Sequence, residues 1–187
     1  MQCDRETFSE KKYERISFSG KEFFECRFND CQMLNCLFSK ARFSSCVFKG
    51  CNLSLVNFEK CLLHDVVFEG CKIVGGNFHL VEKRLFSIGM KGCKLQNCNF
   101  SGLKMKKVSF EGSALKECDF KESELVGGNF RGCDLEGTLF HECDLSHADF
   151  RGAVNYEIDP RANQIAKGKF SVPEALFLLK GFDITLE

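Results

Sequence analysis

The chain is 187 residues long, enough to bury a core without metals or disulfides, and its composition is lopsided, with 21 Phe against 2 Tyr and no Trp, 13 Cys, 16 Gly and 2 Pro. At 44% apolar and 28% charged residues it is no disordered polymer, and 26 Lys plus Arg balance 26 Asp plus Glu, so no overall field draws it to nucleic acid or an anionic membrane. No apolar run is long enough to span a bilayer and the first twenty residues carry charge throughout, so the reading is a cytoplasmic protein with no direct nucleic-acid contact and no membrane partner.

From Phe8 onward an apolar residue falls at every fifth position (Phe8, Tyr13, Phe18, Phe23, Phe28 and so on) to Phe78. The pattern slips by two, resumes at Leu85 and runs to Phe150. A second, smaller residue precedes most of these centres by two places, and twelve of the 13 cysteines occupy that slot. Five residues advance an α-helix by about 500°, and an odd step along a strand alternates faces, so neither regular element keeps the pattern on one side. In, out, in, then two residues that turn a corner does keep it, and this predicts an all-β coil with flat sides.

The number of sides follows from a finer pattern. From Leu95 on, Phe alternates with Leu or Met at successive centres, so twenty residues per turn stack like on like and the coil is quadrilateral. One column of the predicted core is Phe18, Phe38, Phe58, Phe78, Phe100, Phe120 and Phe140. The opposite column is Phe28, Phe48, Phe68, Met90, Phe110, Phe130 and Phe150. The slip is read as a small corner insertion at 79–84, with Leu85 inward between Leu63 and Met105. About seven coils at the strand spacing of about 4.8 Å give a rod on the order of 34 Å long, a solenoid over residues 1–152.

Residues 153–187 are read as a C-terminal cap. Residues 155–163 look irregular. In residues 171–181 Ser171 and Glu174 have capping-box spacing, Pro173 suits a first turn and Gly181 a stop, which predicts a short helix. Alternation from Phe182 to Leu186 predicts a final strand. The helix is more apolar than covering a coil end requires, so Val172, Leu176, Phe177, Leu179 and Phe182 are the expected homodimer contact.

No C-x-x-C pair or other zinc spacing occurs, and parallel stacking suits disulfides poorly, so the cysteines read as reduced core residues. His64, His79, His141 and His147 follow centres by one or two places and form no acid–base dyad. No catalytic residue, metal site or cofactor is expected, and no enzyme. Charge is segregated along the chain. Residues 82–107 hold Lys83, Arg84, Lys91, Lys94, Lys104, Lys106 and Lys107 against Glu82. An acidic band follows, comprising Glu117, Asp119, Glu122, Glu124, Asp134, Glu136, Glu142, Asp144 and Asp149, and it is the candidate partner-binding surface.

The tandem pattern, as in CDFKE-SELVG-GNFRG-CDLEG at residues 118–137, resembles the pentapeptide-repeat proteins, which implies a right-handed quadrilateral β-helix. The tail, in NYEIDP at 155–160 and FSVPEA at 170–175, is similar to quinolone-resistance members of the Qnr kind and to microcin-immunity members. That resemblance implies a dimeric rod that mimics DNA and binds DNA gyrase or topoisomerase IV, protecting it from quinolones or peptide toxins. The alternative is a pentapeptide-repeat interaction scaffold with another partner and no gyrase activity.

Overall fold

A computed structural model describes residues 2–182 and 184. Strands of two to four residues wind into a β-solenoid of about eight turns, with one short helix at the C-terminal end. All pairing is parallel between successive turns. Phe23 pairs with Phe43 and Phe43 with Leu63 on the first face. Phe28, Phe48, Phe68 and Met90 succeed one another on the second. Ile73, Leu95 and Leu115 stack on the third, and single bridges such as Leu37 to Asn57 and Asn99 to Asp119 close the fourth. All thirteen phenylalanines of the two opposite columns are buried. From Phe58 on, and throughout the opposite column, rings stack in parallel, Phe100 on Phe120 at 4.9 Å and Phe130 on Phe150 at 4.7 Å, while Phe18, Phe38 and Phe58 meet edge-on, as do rings of different columns such as Phe110 and Phe120. Both geometries are the ones aromatic quadrupoles favour.

The corners explain the fixed period. The second residue after each centre has a left-handed backbone, from Arg5 at φ 52° to Lys167 at φ 58°, mostly in non-glycine residues. Such a conformation costs an L-residue about 1–2 kcal/mol, and here the regular ladder on either side enforces it. Gly50 is the most crowded of the corner glycines, because a Cβ there would meet the Asp30 carboxylate of the turn below.

The small slot also does more than fill space. All 13 cysteines are buried, and ten of the twelve in the slot, all but Cys61 and Cys118, donate S–H to a centre carbonyl of the preceding turn. Cys51 reaches Phe28 O at 3.2 Å, Cys71 reaches Phe48 O at 3.3 Å and Cys143 reaches Phe120 O at 2.9 Å. Ser113, Ser123 and Asn163 make the equivalent bond to Met90, Phe100 and Phe140. Where the slot holds a donor it satisfies a core carbonyl that would be costly to leave unpaired; elsewhere it holds apolar residues such as Ala41, Val56, Val66 and Leu103. Cys3, outside the slot, is a centre, paired with Phe23.

Three features differ from the sequence reading. Leu85 is 60% exposed instead of inward. Val81 and Glu82 keep the twenty-residue step, with Val81 buried and Glu82 N–H donating to Cys61 O, so within 79–84 the insertion falls after Glu82. Register returns where Val66 pairs with Ile88, and Phe86, partly buried, takes the space expected for Leu85. The coil also continues beyond residue 152. Asp134 bridges Val154, Phe140 pairs with Ile158, Asp144 bridges Gln164 and Asp149 bridges Lys169. Ile158 follows Phe140 by only eighteen residues, and the lost residues return in the turn at Asp159–Ala162, so the ladder persists where the five-residue spacing does not. Finally, Ser171 Oγ accepts the Gly152 N–H at 3.1 Å, tying the tail to the coil. The 3₁₀ helix Glu174–Phe182 follows. Of the expected final strand, Asp183, Thr185 and Leu186 lie outside the described residues.

Candidate interaction surface

Outward residues lie at three positions per pentapeptide, and this decides where each charge points. The nine carboxylates of the acidic band do not share a face; they encircle the rod. Glu124 and Asp144 bridge on the first face and Asp149 lies on the second, flanking Phe150. Glu117, Asp134 and Glu136 flank the third-face column and Asp119, Glu122 and Glu142 the fourth. Many are tied to cations of neighbouring turns. Glu124 holds Lys104 at 2.7 Å and Lys106 at 3.5 Å. Lys116 contacts Glu136 at 2.6 Å and Asp134 at 3.7 Å, and Asp149 holds Arg151 at 2.6 Å. The Lys104 ammonium beside Glu124 holds that carboxyl below its ordinary range, and Arg151 does the same for Asp149. Glu117, Asp119 and Asp144 have no cation within ion-pair distance among the described residues; Asp119 and Asp144 cap turns, accepting Lys121 and Ser146 N–H at 2.8 and 3.0 Å.

The C-terminal segment lies against this ring. Glu136, Tyr156 and Glu157 line one cavity of about 450 Å³ with Phe177 and Lys180. Val172 is 78% exposed and Phe177 45%, with Leu176 and Phe182 similarly open and Leu179 half-buried. Leu178 packs on the core. Lys180 sits over the Phe177 ring at 4.6 Å and Arg161 over Phe182 at 5.8 Å, so both exposed rings are already edged by cations. Tyr156, absent from the sequence candidates, is fully buried against Phe150 and Phe170 and closes the core end.

Burial raises several of the thiols, while Cys51 and Cys93 are lowered by hydrogen bonding to Cys71, and Cys98 by hydrogen bonding to Cys118. Burial pushes Cys46 up to about 11 and Cys133 to about 12, and Cys61 higher still, the opposite of an activated nucleophile. His64 Nδ1 meets Leu85 O at 3.0 Å and His141 lies beside Glu142. No helix among the described residues is long and apolar enough to cross a membrane.

The pentapeptide-repeat region model matches residues 21–88 and 83–155. The chain belongs to the pentapeptide-repeat family. No curated protein matches it in sequence. Among solved structures it is similar to QnrB1, a plasmid-mediated fluoroquinolone resistance protein. The trypsin-treated form gives 18% identity, a TM-score of 0.65, and coverage of 100% of this chain and 92% of that one. The full-length form gives 16% identity, the same TM-score, and 98% and 100% coverage. A pentapeptide-repeat protein, Rfr23, from the cyanobacterium Cyanothece 51142 matches at 9% identity over 91% of this chain and 88% of that one, with a TM-score of 0.30. At such identities the likeness to QnrB1 concerns the fold of this pentapeptide-repeat protein.

Proposed function

We propose that this pentapeptide-repeat protein is a non-catalytic binding protein that acts on DNA gyrase or topoisomerase IV, with its acidic ring as the contact. The observation that carries the reading is the ring itself, carboxylates on every side of a straight rod, directly below an exposed apolar C-terminal segment. Two copies joined through Val172, Leu176, Phe177 and Phe182 would bring two such rings to the centre of a longer rod with carboxylates on all sides, a surface that competes with duplex DNA for a basic saddle. The fold-level likeness to a fluoroquinolone resistance protein supports the same direction.

Gyrase supercoiling with a quinolone present tests it directly. Added protein is expected to restore supercoiling, and Glu117→Lys with Glu136→Lys and Glu142→Lys is expected to abolish the rescue and steepen its salt dependence. Protein that leaves supercoiling unchanged at every concentration overturns the reading. The ion pairs that neutralise much of the ring favour, in that event, an interaction scaffold with a different partner. Phe177→Asp is expected to convert a dimer to a monomer in sedimentation velocity.

A further inference from the structure

Outward charges stacked at the strand spacing alternate in sign on the second face of this rod. There Lys49 pairs in register with Glu69, and Glu69 with Lys91. Like charges do stack elsewhere, Lys72 beside Lys94 and Glu124 beside Asp144, but at one place they gather around a groove. Lys40 and Lys60 occupy the same corner of successive turns, both fixed in the left-handed conformation at φ 59° and 54°. Beside them on the first face is Arg42, in register with Leu62, and over them folds the inserted loop with Arg84. Like charges stacked between neighbouring strands destabilise a sheet, and a position that violates folding preference is where a function is expected.

These four cations surround an open groove of about 480 Å³ whose remaining lining is Leu62, Leu85 and Glu82. Glu82, whose Oε1 accepts the Arg84 backbone N–H at 3.1 Å, offsets one of the four cations and leaves the groove net positive. Arg42 has only a loose pair with Glu22 at 3.8 Å, and Lys40, Lys60 and Arg84 have no ion-pair partner among the described residues. The groove is within the roughly 300–1,000 Å³ of ordinary ligand sites, and it combines two planar guanidinium forks, which match phosphate oxygens bidentately, with two point charges. Leu62 and Leu85 give it an apolar floor. On the far side of the loop a smaller cavity of about 250 Å³ is lined by Phe86, Lys104, Lys106 and Lys107.

We propose that the groove between the Lys40–Lys60 corner and the Arg84 loop binds an anion carrying two or more phosphate groups. The chemistry is shared by a free oligophosphate, which fills the groove alone, and a phosphodiester strand, which continues past the loop to Lys107. The balanced net charge of the chain argues against a global field for nucleic acid; the attraction here is local, and it is independent of the acidic ring.

The test uses the full chain, with inorganic tripolyphosphate in calorimetry and a fluorescein-labelled single-stranded oligonucleotide in polarisation, both at low and physiological salt. Arg42→Glu with Arg84→Glu is expected to weaken binding at least tenfold, and Lys49→Glu with Lys91→Glu, on the second face, to change it less than twofold. Thermal unfolding of each variant establishes that it is folded. Tripolyphosphate binding that Lys107→Glu leaves intact, with no oligonucleotide binding, identifies the free anion. Oligonucleotide binding that Lys107→Glu also weakens identifies the strand. Absence of binding by both probes, equal losses in both double variants, or tighter binding of a poly-glutamate peptide than of either phosphate probe overturns the proposal.

Discussion

The acidic ring and the cationic groove lie a few turns apart on the same repeating frame, yet they are built oppositely. In the ring, Glu124, Glu136 and Asp149 each have a cation from a neighbouring position, so part of its charge is satisfied within the rod. In the groove, Lys40, Lys60 and Arg84 stand together without carboxylate partners among the described residues, next to the inserted loop. A regular column can pair opposite signs, as Lys49, Glu69 and Lys91 do; the inserted loop adds Arg84 to a corner where Lys40 and Lys60 already stack.

The largest test of that comparison removes the shared frame. Phe78→Ala below the insertion and Phe120→Ala below the ring each delete a buried, stacked ring and are each expected to cost about 3–5 kcal/mol in denaturant unfolding. Similar losses confirm that the insertion leaves the core packing below it whole; a much smaller loss for Phe78→Ala shows a loosened turn there. Deleting Lys83 and Arg84 restores the twenty-residue step and is expected to give a folded protein with phosphate binding weakened at least tenfold and effects on gyrase unchanged.

A smaller effect separates thiols from surface charges. Folded-state values of Cys46 and Cys133 lie above the ordinary thiol value near 9, so their contribution is fully present below about pH 9 and is lost as pH rises toward 11–12. Melting temperature is expected to fall over that range, and Ellman's reagent at pH 8 to react slowly until denaturant is added. The smallest effect is at acid pH. Glu124 and Asp149 have depressed folded values, so their contribution is present above the ordinary carboxylate range and is lost as pH falls through it. Glu124→Gln and Asp149→Asn are expected to flatten the acid limb of the melting curve, by an amount kept modest by exposure and salt.

Much of the frame was legible because each turn repeats one local rule. The five-residue spacing locates every inward column up to Phe150, since burial on one side of a three-residue strand leaves no other choice. Leu85 misled because spacing alone cannot distinguish a resumed phase from a loop residue that happens to fall in step; Glu82 N–H to Cys61 O is a backbone fact. The last turn was hidden because Tyr156 and Ile158 fill the core out of step, and bridges such as Asp149 to Lys169 depend on backbone and not on residue type. The acidic residues were readable as a band, but their distribution round four sides and their pairing needed the corner positions. The groove was invisible in sequence, since Lys40, Arg42 and Lys60 lie far from Arg84 along the chain and come together only through stacking.

The parallel ladder has a mechanical consequence. Its hydrogen bonds run along the rod, from Phe28 to Phe48 to Phe68, so tension applied between the two ends loads each turn's bonds in sequence instead of shearing many at once. Under an optical trap the molecule is expected to lengthen in a staircase, each step freeing one twenty-residue lap of chain, roughly 65 Å of contour. The lap that carries the insertion should give a step longer by two residues, a ruler mark in the middle of the trace.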